Sequence, residues 1–268
     1  MSKKIVEVRA SSFGSLFDCA YRFEGEQIMK LYRPSSLRAW LGTSIHASTA
    51  AFDQARIDGA PISAYDAADV FVKSLWEPTE EIERDPKLSL KQAEVIGLKL
   101  HSRYCAEIAP TMEYESVEQP LAPLDIDCGG NLIIRLKGTL DRARVVRTMH
   151  GKVINDVKTG GRLIGTDGVV SLKGKRAQLG TYQILKEHTD HDEVGGAQIT
   201  ALQTTSNTQV GVSKIFDARP LMLGTDTERG LIEMAADIFK TGLFTPNDQS
   251  ALCDQRFCAR WGTCKYHA

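Results

Sequence analysis

The chain has 268 residues, 42% hydrophobic and 25% charged, with a formal net charge of −1. This is ordinary globular composition, enough for one large core, and the charge balance excludes a uniformly basic nucleic-acid coat while leaving room for a locally basic groove. There is no apolar run long enough to span a bilayer and no apolar signal-peptide centre near the start, so a cytoplasmic protein with no membrane contact is expected.

Residues 11–31 read as a helix, with Phe13, Leu16, Phe17 and Ala20 at helical spacing, Ser11 or Ser12 as N-cap and Cys19 on the same segment. After a polar turn at residues 33–36, an alanine-rich amphipathic helix is predicted over 37–57. It turns Trp40, Ile45, Ala47, Ala51 and Phe52 toward a core and carries His46 in its middle. Two more helices, Ala64 to Trp76 and Leu90 to Ile108, flank an acidic stretch at 77–87 that reads as a solvated loop. From Tyr114 the pattern becomes extended, with an early strand near Val117 and a turn at Gly129-Gly130. Strands follow at Leu132 to Leu136, Thr139 to Val146 and Val153 to Val157, the last entered from a turn at His150-Gly151. A glycine-rich connection at 159–168 leads to a helix over Lys175 to His188. Strands at Ala197 to Thr205 and Gln209 to Phe216 then surround a turn at Ser206-Asn207, and a helix covers Thr225 to Lys240. The order gives an α/β class in a single domain over 1–268: a mainly helical part at 10–110, a catalytic sheet with helices at 111–245, and a cysteine-rich tail at 246–268.

Chemistry concentrates at residues 132–158. Asp156 and Lys158 are two apart on a strand and so project from one face, with Val157 turned away, while Asp141 lies on the preceding strand. A phosphodiester repels anionic nucleophiles. A divalent cation held by carboxylates offsets that repulsion, polarises a phosphoryl oxygen and lowers the pKa of bound water. A neighbouring lysine can orient the water or stabilise transition-state charge. Gln178 and Tyr182 share a helix face at i and i+4, and His46 could supply an imidazole ligand, a donor better suited to Mn²⁺ than to Mg²⁺. Arg162, Lys173, Lys175 and Arg176 bracket the approach to Gln178, either as a patch tracking a nucleic-acid backbone or as a solvated loop.

Gly42-Thr43-Ser44-Ile45-His46, Gly138-Thr139-Leu140-Asp141, Asp156-Val157-Lys158 and Gln178 with Tyr182, in that order, resemble the RecB-like nucleases of the PD-(D/E)XK superfamily. The resemblance covers roughly residues 40–185 and implies a mixed central sheet flanked by helices. It also implies Mg²⁺ or Mn²⁺ on His46, Asp141, Asp156 and the carbonyl of Val157, Lys158 as the catalytic lysine, and Gln178 with Tyr182 as a helical pair that shapes the site and contacts DNA. The acid before the lysine is Asp rather than the commoner Glu.

Three of the six cysteines, Cys253, Cys258 and Cys264, fall in the last sixteen residues, and Cys19 is the natural fourth ligand. Four cysteines split this way resemble the [4Fe–4S] staple of AddB-type helicase–nucleases and CRISPR-associated RecB-like exonucleases. Here the first tail gap holds four residues where that pattern has two. Zn²⁺ on four cysteines, or with His267 replacing one, and free thiols are the alternatives, and Cys105 and Cys128 read as structural. The resemblance thus implies a metal-dependent exonuclease acting on DNA ends, single-stranded or at the ends of duplexes, in recombination, repair, phage or CRISPR processing. No P-loop is present, so a helicase or recombination partner would supply any motor. The competing reading is a catalytically silent nuclease fold used for DNA binding or assembly.

Overall fold

The computed structural model describes residues 3–205 and 207–267. Strand β1 (Lys4–Arg9) precedes the first predicted element, alternating buried Val6 and Val8 with exposed neighbours. The single helix expected over 11–31 is instead three short ones, α1 (Ala10–Phe13), α2 (Ser15–Asp18) and α3 (Ala20–Phe23), followed by a π-helical turn at Glu24–Ile28. Arg9, not Ser11 or Ser12, occupies the N-cap. Cys19 is not helical: its backbone is extended at φ −151°, ψ 99°. The interruption has a physical cause in the far end of the chain. Asn247 donates to the Asp18 carbonyl at 2.7 Å, Ser250 donates to the Asp18 carboxylate at 2.6 Å, and the Tyr21 N–H donates to the Thr245 carbonyl at 3.2 Å. Backbone groups that a continuous helix would consume are spent on the tail instead.

A two-residue strand β2 (Ser35–Ser36) leads into α4 (Leu37–Ile57), capped by the Ser36 hydroxyl accepting from the Ala39 N–H. Next come α5 (Ala64–Trp76), strand β3 (Ile82–Glu83) and α6 (Leu90–Arg103). Capping boxes at Ser63/Asp66 and Ser89/Gln92 start the two helices where the sequence places them. The expected helix to Ile108 is α-helical only to Arg103 and continues as a π-helical turn at Tyr104–Ile108. The acidic loop is mostly solvated as read, except that β3 pairs with β2.

The strands follow: β4 (Glu113–Pro120), β5 (Leu124–Asp127), β6 (Leu132–Lys137), β7 (Thr139–Val145) and β8 (Lys152–Gly160). Then come α7 (Arg176–Asp190), β9 (Val194–Gln203), β10 (Gln209–Val212), α8 (Arg219–Leu223) and α9 (Leu231–Thr241). Two predicted elements shorten. The strand from Gln209 ends at Val212, and the last helix begins at Leu231 because residues 224–229 form a turn closed by a Gly224–Arg229 bridge. Of the turn expected at Ser206-Asn207, Ser206 lies outside the described residues.

The main sheet has the order β10-β9-β8-β7-β4 and is mixed, with β8 and β9 parallel and the other pairs antiparallel. A second sheet, β1-β6-β5, joins the start of the chain to its middle. Helices cover both faces. Val157 and Leu202 pack with Leu41 and Ile45 of α4 in one core, while Ile154 and Ile199 pack with Leu179 and Leu185 of α7 in the other. Strand β8, buried from Val153 to Val157, lies between the two cores.

Candidate metal centre and cysteine pocket

The acids line up by register. The β7–β8 ladder pairs Arg142 with Asn155, so Asp141 stands one step further on, opposite Asp156. The β4–β7 ladder pairs Val117 with Arg142 and Gln119 with Leu140, which places Glu118 opposite Asp141. Glu118, Asp141 and Asp156 thus form a row across three adjacent strands. The row begins where backbone pairing of β7 with β8 ends, and there the Asp141 carboxylate accepts the Val157 N–H at 2.9 Å in place of a ladder bond.

Each neighbour of the row has a definite partner. Asp156 is fully buried, and the Lys158 ammonium lies 2.6 Å from its Oδ2. The contact pairs a buried carboxylate with the lysine's charge. Gln178 donates to Asp156 Oδ1 at 3.3 Å and lies 3.4 Å from the Tyr182 hydroxyl. His46 Nδ1 is 3.6 Å from Asp141 Oδ2, reaching it from the α4 layer. Every residue singled out for the site in the sequence therefore joins one connected set. Tyr182, only 4% exposed, has no ring face free to stack on a base, so its part here is to hold Gln178.

Two glycines set these positions. A Cβ at Gly138 would stand 2.8 Å from the Tyr182 ring, and one at Gly42 would collide with the Thr159 hydroxyl. The missing side chains let Tyr182 reach β7 and let α4 approach β8 one residue past Lys158, bringing His46 within range.

Burial pushes the Asp156 carboxyl up to about 6, against the pull of Lys158. Burial also depresses His46 to about 4, reinforced by Lys158 and Arg142, so the imidazole is neutral at pH 7, the form that ligates metal. Lys158 is opposed by burial but raised on balance by Asp156 and Asp141, and stays charged. A neutral imidazole nitrogen with carboxylate oxygens fits a Mg²⁺ or Mn²⁺ ion.

Glu118 is the residue that the sequence reading passes over. Its carboxylate oxygen, that of Asp141 and a His46 nitrogen lie within 4.8 Å of one another. Arg142, fully buried, donates to Glu118 at 3.3 Å and to Asp53 at 2.9 Å, and Thr49 accepts from it at 3.2 Å. Glu113, Glu115 and Glu118 all lie on β4, and only the strand register distinguishes them.

A profile of the PD-(D/E)XK nuclease superfamily matches residues 9–265. The chain belongs to the PD-(D/E)XK nuclease superfamily. Among solved structures, it is similar to a candidate exonuclease from Eubacterium rectale, with a TM-score of 0.56 and 12% identity over 91% of this chain and 86% of that one. That likeness is one of fold. No curated protein matches.

In this PD-(D/E)XK chain the tail folds back on α2 and α3. Cys19, Cys253, Cys258 and Cys264 line one pocket, beside Tyr21 and Tyr266. Burial raises the Cys253 thiol, and the other three cysteines raise it further, a sign of their proximity. Four thiol donors around one pocket are a donor set that suits a [4Fe–4S] cluster or a Zn²⁺ ion. His267 stacks on Trp261 at 3.9 Å and engages the Trp261 carbonyl through Nε2, outside the pocket lining. Arg260 seals the edge, pairing with Glu24 at 2.8 Å and lying over the Tyr21 ring at 3.9 Å. Cys105 is buried among apolar residues, its thiol pushed up to about 12, and Cys128 donates to the Ile126 carbonyl; both are structural in their surroundings.

Proposed function

We propose that this nuclease-superfamily chain is a RecB-like, Mg²⁺- or Mn²⁺-dependent DNA exonuclease whose tail is fastened by a [4Fe–4S] cluster. The observation that carries the reading is the connected set His46–Asp141–Asp156–Lys158–Gln178, drawn from four elements onto one end of the β7–β8 ladder. Asp141, Asp156, His46 and the Val157 carbonyl would hold the divalent ion, which when bound polarises a phosphoryl oxygen and acidifies a water. Lys158, anchored on Asp156 and charged at neutral pH, orients the attacking water and offsets charge that develops on the phosphoryl oxygens. Gln178 keeps the second Asp156 oxygen fixed, and Tyr182 keeps Gln178 fixed. Lys175, one turn before Gln178, has its amine pK lowered by burial and by Lys158, which supports a place at the site mouth. With Arg162, Lys173 and Arg176 it forms the patch that tracks the DNA backbone.

The Eubacterium rectale neighbour is named as an exonuclease, which supports cleavage from ends. Four cysteines around one pocket, split as Cys19 and three in the tail, support the cluster. We place the protein in the cytoplasm as one nuclease domain, with single-stranded DNA or duplex ends as substrate and a helicase or recombination protein as partner. The test is digestion of end-labelled single- and double-stranded DNA with Mn²⁺. The parent protein should shorten linear substrates progressively, and Asp156→Ala should not. Equal digestion by both would overturn the assignment and favour the DNA-binding reading. Anaerobically purified protein should be brown and contain iron, and a colourless protein with stoichiometric zinc would overturn the cluster.

A further inference from the structure

The nuclease reading leaves Glu118 without a task. Its carboxylate faces Asp141 across the β4–β7 pair. Like charges directly opposite on neighbouring strands repel each other, and this pair lies next to a third acid, Asp156. The cations already present are committed elsewhere. Lys158 is on Asp156, and Arg142 divides its guanidinium among Asp53, Thr49, the Asp141 carbonyl and Glu118. Arg142 therefore aims Glu118 more than it neutralises the row. What the row shares with His46 is space: donor atoms of His46, Glu118 and Asp141 lie within 4.8 Å of one another. Ligands of a single octahedral ion stand roughly 3 to 4 Å apart, so a small closure would place all three around one cation. The Glu118 side chain is 48% exposed, so this corner opens to solvent and can be loaded from it.

We infer that Glu118 is a further ligand of the divalent ion, closing a His46–Glu118–Asp141 face and leaving Asp141 shared between that face and Asp156. The inference rests on the metal-dependent reading above and adds a ligand that the sequence motifs do not contain. The rival role for Glu118 is purely structural, as a partner of Arg142.

The experiment measures Mn²⁺ binding to the full-length, metal-stripped protein without DNA, by calorimetry and by electron paramagnetic resonance. Melting in EDTA is followed alongside. Glu118→Gln keeps an acceptor for Arg142 and removes the charge, so it should weaken Mn²⁺ binding roughly tenfold or more, with an unchanged or slightly higher melting temperature in EDTA. Glu118→Asp keeps the charge and draws it back by one methylene. It should also weaken binding, and it covers the case in which the Gln variant fails to fold. Wild-type Mn²⁺ affinity in either folded variant overturns the inference, and a lower metal-free melting temperature with that affinity identifies the structural role. Asp141→Asn separates the two levels of the argument. If it weakens binding while the Glu118 variants do not, only the inference falls. If it too binds Mn²⁺ normally, the metal assignment of the nuclease reading falls with it.

Discussion

The acid row and the cysteine pocket are both assembled from residues far apart in the chain, yet they are held in opposite ways. Around the row, the protein's own groups supply the partners: Val157 N–H on Asp141, Lys158 and Gln178 on Asp156, Arg142 on Glu118. These strands lie between two apolar cores, so the site keeps its shape without an ion. The tail has thinner support. Its described residues beyond Thr241 form turns and a 3₁₀ turn at Trp261–Thr263, Phe244 alone of them packs on a core, and the rest is held by a few polar contacts and by Tyr266 and Arg260 against Tyr21, around the four cysteines. On the function proposed above, the first region would use a metal for chemistry and the second for architecture. Removing the bound group should therefore silence one and loosen the other.

Four measurements would sharpen or break that contrast. The largest effect belongs to the row: Asp156→Ala or Lys158→Ala should lower nuclease turnover about 10³-fold. Neither variant should lose the tail's iron, measured on the same preparations, and loss of iron would mean that the two regions are not independent. Second, Cys258→Ser should lower the melting temperature by about 10 °C, because closing a loop of more than two hundred residues contributes roughly 5 kcal/mol. Freshly prepared at low temperature, it should keep most of its turnover. An unchanged melting temperature would show that the tail needs no staple.

Third, Gly42→Ala should push α4 off Thr159 and carry His46 away from Asp141, reducing Mn²⁺ affinity and turnover about tenfold. Full activity would mean that His46 is not needed. The smallest effect concerns the helical layer, where His101 is buried between Ser48 (3.0 Å) and the Ala64 carbonyl (2.9 Å). Burial lowers its pK below the ordinary 6.5, despite the Ala64 bond and Asp53. The unfolded chain then binds the proton more tightly than the fold does, so stability is full above pH 6.5 and falls as the pH drops from there toward the folded pK. The change in urea midpoint between pH 7.5 and 5.5 in EDTA should shift by a small amount in His101→Gln relative to the parent, the remainder belonging to His46 and Asp156.

The site motifs were readable because each is local: Asp156 and Lys158 lie two apart on a strand, Gln178 and Tyr182 one helical turn apart, and Gly42 and Gly138 a few residues before His46 and Asp141. Glu118 was not readable, since its place depends on the register of β4 against β7 and two other glutamates compete for it on the same strand. The broken helix at Cys19 escaped for a similar reason. The segment has helical periodicity, and what interrupts it is a set of hydrogen bonds, donated by Asn247 and Ser250 and accepted by the Thr245 carbonyl, more than two hundred residues away. Strand β1 is short and pairs in parallel with β6, a contact that no nearby pattern encodes.

The row of acids runs from an interior strand to a marginal one. Strand β8 has neighbours on both sides, whereas β4 ends the sheet. Fraying of a marginal strand requires far less free energy than opening a central one, so amide hydrogens near Asp156 should exchange with deuterium only when the whole fold opens, and those along the outer edge of β4 much sooner. The two ends of one acidic row thus belong to different layers of the molecule's breathing, with Lys158 on the still side and Glu118 on the side that yields.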